Sequence, residues 1–193
     1  GQVADTDVLS ESQGILMKYA ALTGDRALLD RLWSYVRAHM AGGVLASWVV
    51  RADGPSQVNA LIDDLRILDA LLLSDAVAGE TIAQYADALY DYNTSDGRLV
   101  DHYDFATGGK ADRLTLCYVD EAALRAISAV DRRFSDVCDD AVAIVENGYI
   151  GDSLPLYYSY YDYTHNTYAK DDLHMAEALT TLLHLAQAGR LRD

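Results

Sequence analysis

Residues 8–40, VLSESQGILMKYAALTGDRALLDRLWSYVRAHM, read as two helices joined by a very short turn. Ser10 and Gln13 have the spacing of a capping box, and Gly24 suits the left-handed residue that closes a helix. Asp25 is placed to cap a second helix running to about Met40, where Ala-Gly-Gly stops it. This hairpin sets the pattern for the rest of the chain. Helices are predicted over 59–73, 79–92, 120–129 and 133–147, the last closed by Gly148. A seventh starts at Asp171 or Asp172 and stops at Gly189. Residues 44–54 read as a short extended stretch with a turn, 93–113 as a long loop or β-hairpin, and 149–170 as a tyrosine-rich loop. Paired helices separated by long aromatic loops predict an all-α fold, a toroid or solenoid of helical hairpins in which the loops carry the function. Residues 1–193 form a single domain in this reading.

Composition narrows the function. The chain has 15 Lys+Arg against 30 Asp+Glu, a formal charge of −15. That balance argues against nucleic acid and against an anionic membrane surface. No apolar run approaches the roughly 18–20 residues that span a bilayer. The five histidines show no HExxH or similar ligand spacing, and ATGGKAD (106–112) lacks the spacing of a phosphate loop, so neither a metal nor a cofactor is expected. Cys117 and Cys138 sit among apolar and acidic neighbours without a CxxC, which favours buried free thiols over a disulfide.

Several carboxylates invite chemistry. Glu11 opens an apolar helix, where a carboxylate ordinarily complements the helix dipole. A general acid needs its proton held, so Glu11 fits that role only if burial or a second carboxylate opposes the dipole. On a helical wheel of 59–73, Leu61, Leu65, Leu68 and Leu72 form a stripe that Ala60, Ile67 and Leu71 widen. Asp64 falls inside this apolar sector, whereas Asp63, Arg66 and Asp69 fall on the other side. A carboxylate there is either satisfied by a neighbouring loop or used. In the last helix Met175, Ala176, Leu179, Leu182, Leu183 and Ala186 make the apolar face; Asp172 points the same way and Asp171 lies nearer its edge. The tyrosines from 157 to 168, with Trp48, offer faces for sugar rings or simply pack against the core, and Trp33 reads as core.

Taken together, these segments resemble glycoside hydrolase family 8, part of the six-hairpin glycosidase superfamily, and its Gram-positive members in particular. Residues 8–40 are similar to the family's acid-bearing segment, LASWVV (45–50) to its LMAWRW-like strand, and NALIDDLRILDALLLS (59–74) to its DADLDIAYALLLA-like helix. ADRLTLCYVD (111–120) and LPLYYSYYDY (154–163) match further segments, so the resemblance runs in order along nearly the whole chain. It implies an (α/α)6 toroid and endo-acting, inverting hydrolysis of a β-1,4-linked polysaccharide, outside the cell or at its surface. By position Glu11 matches the general acid and Asp64 an aspartate that helps hold the sugar. KDDLHM (170–175) overlies the base-bearing segment, which makes Asp171 the base; the helix-face argument prefers Asp172, and both stand as candidates. The matched segments offer Trp48, Asp63, Tyr118, Asp120, Tyr160, Tyr161 and Tyr168 for sugar binding. Ser12, Ile62 and His174 depart from the family pattern, which admits a catalytically impaired polysaccharide-binding protein as the alternative. Seven helices are fewer than twelve, so the toroid is expected to be incomplete and to expose apolar edges to a partner or to further segments of the same protein.

Overall fold

The structure, a computed structural model, describes residues 7–74, 77–170 and 173–191. Among them are seven α-helices and ten short strands. The helices are α1 (Ser10–Thr23), α2 (Arg26–Tyr35), α3 (Leu61–Leu73), α4 (Gly79–Asn93), α5 (Glu121–Ser128), α6 (Arg133–Asn147) and α7 (Met175–Gln187). The odd-numbered helices pack in succession, α1 on α3, α3 on α5 and α5 on α7; α2, α4 and α6 each pack on the odd helix before them. This is the inner and outer layering of an α/α hairpin fold.

Local chemistry sets most helix ends. Gly24 closes α1 at φ 72° and donates its N–H to the carbonyls of Ala20 and Ala21. The Asp25 side chain accepts from the Leu28 N–H at 3.0 Å. Asp120 caps α5 by accepting from the Ala123 N–H at 3.1 Å. Helix α3 starts at Leu61 and α7 at Met175, later than the sequence reading, and two further endings differ in kind. The cap of α1 is Leu9, without a side-chain bond, because the Ser10 hydroxyl is drawn to Asp63 on α3 instead. Residues Val36–Met40 continue α2 as a π-helical turn rather than as α-helix.

The all-α expectation needs a second correction, since the long loops are built from hairpins. Strands β1 (Val8–Leu9), β2 (Val49–Arg51) and β3 (Gly54–Pro55) form an antiparallel sheet in that order. Residues 93–113 fold as two hairpins, β4 (Thr94–Ser95) with β5 (Arg98–Leu99) and β6 (Tyr103–Asp104) with β7 (Gly109–Lys110). Strand β8 (Arg113–Thr115) pairs with β9 (Tyr160–Asp162), which pairs with β10 (Thr167–Tyr168). The strands are too short to make a layer of their own, and they wall the ends of the helices.

The core runs along α3. Leu61, Leu65, Ile67, Leu68, Ala70 and Leu71 are fully buried, enclosed by Met17, Leu29, Met40, Leu45, Tyr85, Leu89 and Leu124. Cys117 and Cys138 are free and buried. Helix α7 departs from expectation: its buried residues are Ala178, Thr181, His184 and Leu185, while Met175, Leu179 and Leu183 are exposed. It rests on Ala178, Thr181, His184 and Leu185, with Leu182 partly buried, and turns Met175, Leu179 and Leu183 outward. On α1, Ile15, Tyr19 and Leu22 form a second exposed stripe at positions i, i+4 and i+7. No helix among the described residues is long and apolar enough to cross a membrane.

Candidate active site

An open cleft of about 560 Å³ lies where the N-termini of α1 and α3 meet the hairpins. Its lining includes Glu11, Trp48, Asn59, Asp63, Arg66, Asp101, Arg113, Tyr118, His174 and Glu177. Close approach of α1 and α3 makes it possible. A Cβ on Gly14 would lie 3.0 Å from the Arg66 Cβ and 3.2 Å from the Asp63 carbonyl oxygen. Glycine there lets the two helices touch, and one turn earlier Glu11 comes to face Asp63.

Arg66 stands between the two carboxylates. Its Nη1 is 3.5 Å from Glu11 Oε1 and 3.6 Å from Asp63 Oδ1. The Glu11 side chain is 57% exposed and that of Asp63 only 8%. Burial pushes Asp63 up to about 6, with Glu11 adding in the same direction; the Ser10 hydroxyl, donating to Oδ2 at 2.5 Å, and the Arg66 charge pull the other way. Burial that raises a carboxylate therefore acts on Asp63 in this cleft.

The remaining wall is polar and well tied. Asp101 is 4% exposed and accepts from the Thr115 N–H at 2.5 Å, the Thr115 hydroxyl at 2.7 Å and Arg113 Nε at 3.1 Å. Burial raises its pKa nonetheless. Arg113 lies over the Tyr160 ring at 4.9 Å. Trp48 is 38% exposed and carries Arg51 over its ring at 5.0 Å. Tyr118, at the back of the cleft, has its phenol pKa raised by burial.

Of the residues singled out from sequence, Glu11, Trp48, Asp63 and Tyr118 share this cleft. Four others have different surroundings. Asp64 is fully buried behind the cleft lining, accepting from the Ala46 N–H at 2.9 Å, Asn59 Nδ2 at 2.8 Å and the Tyr85 hydroxyl. Asp120 is a helix cap and the partner of Lys18, 3.3 Å away, in the interior. Tyr161 and Tyr168 pack edge to face at 4.9 Å, and the Tyr168 hydroxyl is spent on the Ile144 carbonyl at 2.6 Å. Tyr160 reaches the site only as the platform beneath Arg113. Asp171 and Asp172 lie outside the described residues; the cap of α7 is His174. Arg66, Asp101, Arg113 and Glu177 carried no spacing signal in the sequence, because they come from separate segments that only the fold brings together.

No protein-family model matches the chain. A curated relative, "Putative lipoprotein YdaJ" of Bacillus subtilis (strain 168), is 32% identical over 124 residues, covering 60% of this chain and 33% of that protein. Among solved structures, a novel alpha-amylase from Clostridium perfringens superposes with a TM-score of 0.87 at 28% identity, over 96% of this chain and 56% of the other. The endo-beta-1,4-glucanase CMCax from Acetobacter xylinum gives 0.76 at 22%, over 100% of this chain and 67% of the other. The endoglucanase Cel10 from Klebsiella pneumoniae, a family 8 glycosyl hydrolase, gives 0.74 at 19%, over 94% and 66%. The chain thus spans a third of the curated relative and between 56% and 67% of these solved chains. With its layered hairpins and the cleft at their ends, it carries the fold of the family 8 glycosyl hydrolases.

Proposed function

We propose that this chain forms the acid-bearing part of an endo-acting, inverting glycoside hydrolase. The observation that carries the reading is the convergence of Glu11, Asp63 and Trp48 on one open cleft. Glu11 protonates the glycosidic oxygen, and Asp171 or Asp172 activates a water on the opposite face of the sugar. Inversion calls for those two carboxyls to stand roughly 6.5–9.5 Å apart. Asp63, rather than its neighbour Asp64, bonds the sugar hydroxyls, and Trp48 stacks on a ring.

The substrate is a polysaccharide. A β-1,4-glycan is the leading choice, supported by the glucanases of the same fold. The higher TM-score and identity of the alpha-amylase give an α-glucan the second place. Extracellular or cell-surface placement is supported by the description of the Bacillus relative as a lipoprotein. We read the exposed stripes on α1 and α7 as the edges on which further helical hairpins of the same protein complete the ring.

A second reading, a polysaccharide-binding protein without turnover, is favoured by one feature: Arg66 occupies the space between Glu11 and Asp63. Release of reducing ends from β-glucan, xylan, chitosan and α-glucan separates the two. The hydrolase reading expects release from one of them, reduced by about 100-fold or more in Glu11→Gln. Equal release by both proteins removes Glu11 from catalysis, and binding without release selects the second reading.

A further inference from the structure

Three segments of the cleft wall hang from a side chain that does not reach the cleft. Asp64 Oδ1 accepts from the Ala46 N–H and from the Tyr85 hydroxyl, while Oδ2 accepts from Asn59 Nδ2. Asn59 sends its other amide hydrogen to Asn93 Oδ1 at 2.7 Å, and its Oδ1 accepts from the Tyr103 N–H at 2.7 Å. Asp64, Asn59, Tyr85 and Asn93 are all within 1% of complete burial. The directions of these bonds matter. Ala46 N–H and the Asn59 amide can only donate towards the carboxylate, so an amide in place of Asp64 must set N–H against N–H on one side or the other. An unsatisfied buried donor is destabilising, and the chain relieves it by moving.

What moves would be the site. Ala46 lies two residues before Trp48, Asn59 itself lines the cleft, and Asp63 precedes Asp64 on α3. We propose that Asp64 is a positioning residue: through Ala46, Asn59 and Tyr85 it fixes where the Trp48 face stands relative to the Asp63 carboxylate. The ligand side of this proposal rests on the glycan reading above; the placement of Trp48 does not.

The test uses the full chain with Trp33→Phe, which keeps a ring against Tyr85 and leaves Trp48 as the sole tryptophan. Asp64→Asn and Tyr85→Phe are made in that background. Emission and acrylamide quenching of Trp48 are read without ligand, and affinity is read by titration with cellohexaose and maltohexaose. Circular dichroism checks the fold. The expected result is retained helicity with a red-shifted, more readily quenched Trp48 in Asp64→Asn. Affinity for whichever hexaose binds should fall about tenfold, the scale of one unmade buried hydrogen bond. Tyr85→Phe, which leaves the Ala46 and Asn59 bonds intact, should show a smaller shift of the same sign. A folded Asp64→Asn with unchanged Trp48 quenching and affinity overturns the proposal. If Asp64→Asn does not fold, unchanged quenching in Tyr85→Phe overturns it instead. If neither hexaose binds the parent, these glycans are removed as ligands and the quenching comparison still decides the positioning role.

Discussion

Helices α3 and α7 are each 13 residues long and leucine-rich, yet α3 buries ten of its residues and α7 buries four. Helix α3 is enclosed except where Asp63 and Arg66 border the cleft, and even its carboxylates Asp63, Asp64 and Asp69 are buried and tied. Helix α7 rests on Ala178, Thr181, His184 and Leu185 and leaves Leu179 and Leu183 more than half exposed. The difference shows that an apolar stripe records a need for cover, and that the cover itself depends on what lies opposite. In α3 the whole protein supplies it; in α7 the stripe faces outward.

Truncation should expose this contrast most sharply. Leu68→Ala in α3 is expected to lower the unfolding free energy by about 2–5 kcal/mol. Leu183→Ala in α7 should change it by no more than about 0.5 kcal/mol. Urea denaturation of both variants checks the pair, and equal losses would mean that α7 is covered in solution. Gly14→Ala comes next. Its methyl group meets Arg66 and the Asp63 backbone at the α1–α3 contact. Overpacking of that kind is expected to be destabilising by about 1–3 kcal/mol. The same wedge should weaken glycan binding, measured by titration, because it parts Glu11 from Asp63.

A pH titration of stability probes the α3 carboxylates directly. Burial holds Asp63 at about 6 and Asp64 at about 7, both above the ordinary value of 3.8. Between pH 4 and 7 the folded chain therefore binds protons that the unfolded chain has released. Stability should fall as pH rises through that window and level off above about pH 8. Melting temperatures at pH 5 and pH 8 test this, with pH 5 expected to be higher. The smallest effect is expected at the other helix: Leu179→Lys with Leu183→Lys should leave the melting temperature nearly unchanged and reduce concentration-dependent association in analytical ultracentrifugation.

Much of the frame was legible in the sequence because short-range chemistry decides it. Gly24, Asp25 and Asp120 each act within one helical turn, and each does at its helix end what its residue type favours. The helical wheel also separated Asp64 from Asp63. What it could not supply was the identity of the surroundings. The sector holding Asp64 is the core, and the sector holding Asp63 and Arg66 opens into a cleft rather than into bulk solvent. The tyrosine loop stayed open between two readings for a related reason. Two of its hydroxyls have partners in the main chain, Tyr163 on the Leu99 carbonyl and Tyr168 on that of Ile144, and nothing in the local sequence records partners so distant.

The small sheet of β1, β2 and β3 carries one more consequence. Val8 and Leu9 pair with Val50 and Val49, and the Ser10 N–H donates to the Trp48 carbonyl at 3.0 Å. Main-chain bonds thus tie the segments of Glu11 and Trp48 to each other, and the Ser10 hydroxyl adds a side-chain bond to the same Trp48 carbonyl at 3.2 Å. The turn between Arg51 and Gly54 lies beyond that ladder. Loops of other lengths could be grafted at this tip, leaving the register of acid and aromatic face as it is. The molecule offers there a port for redesign.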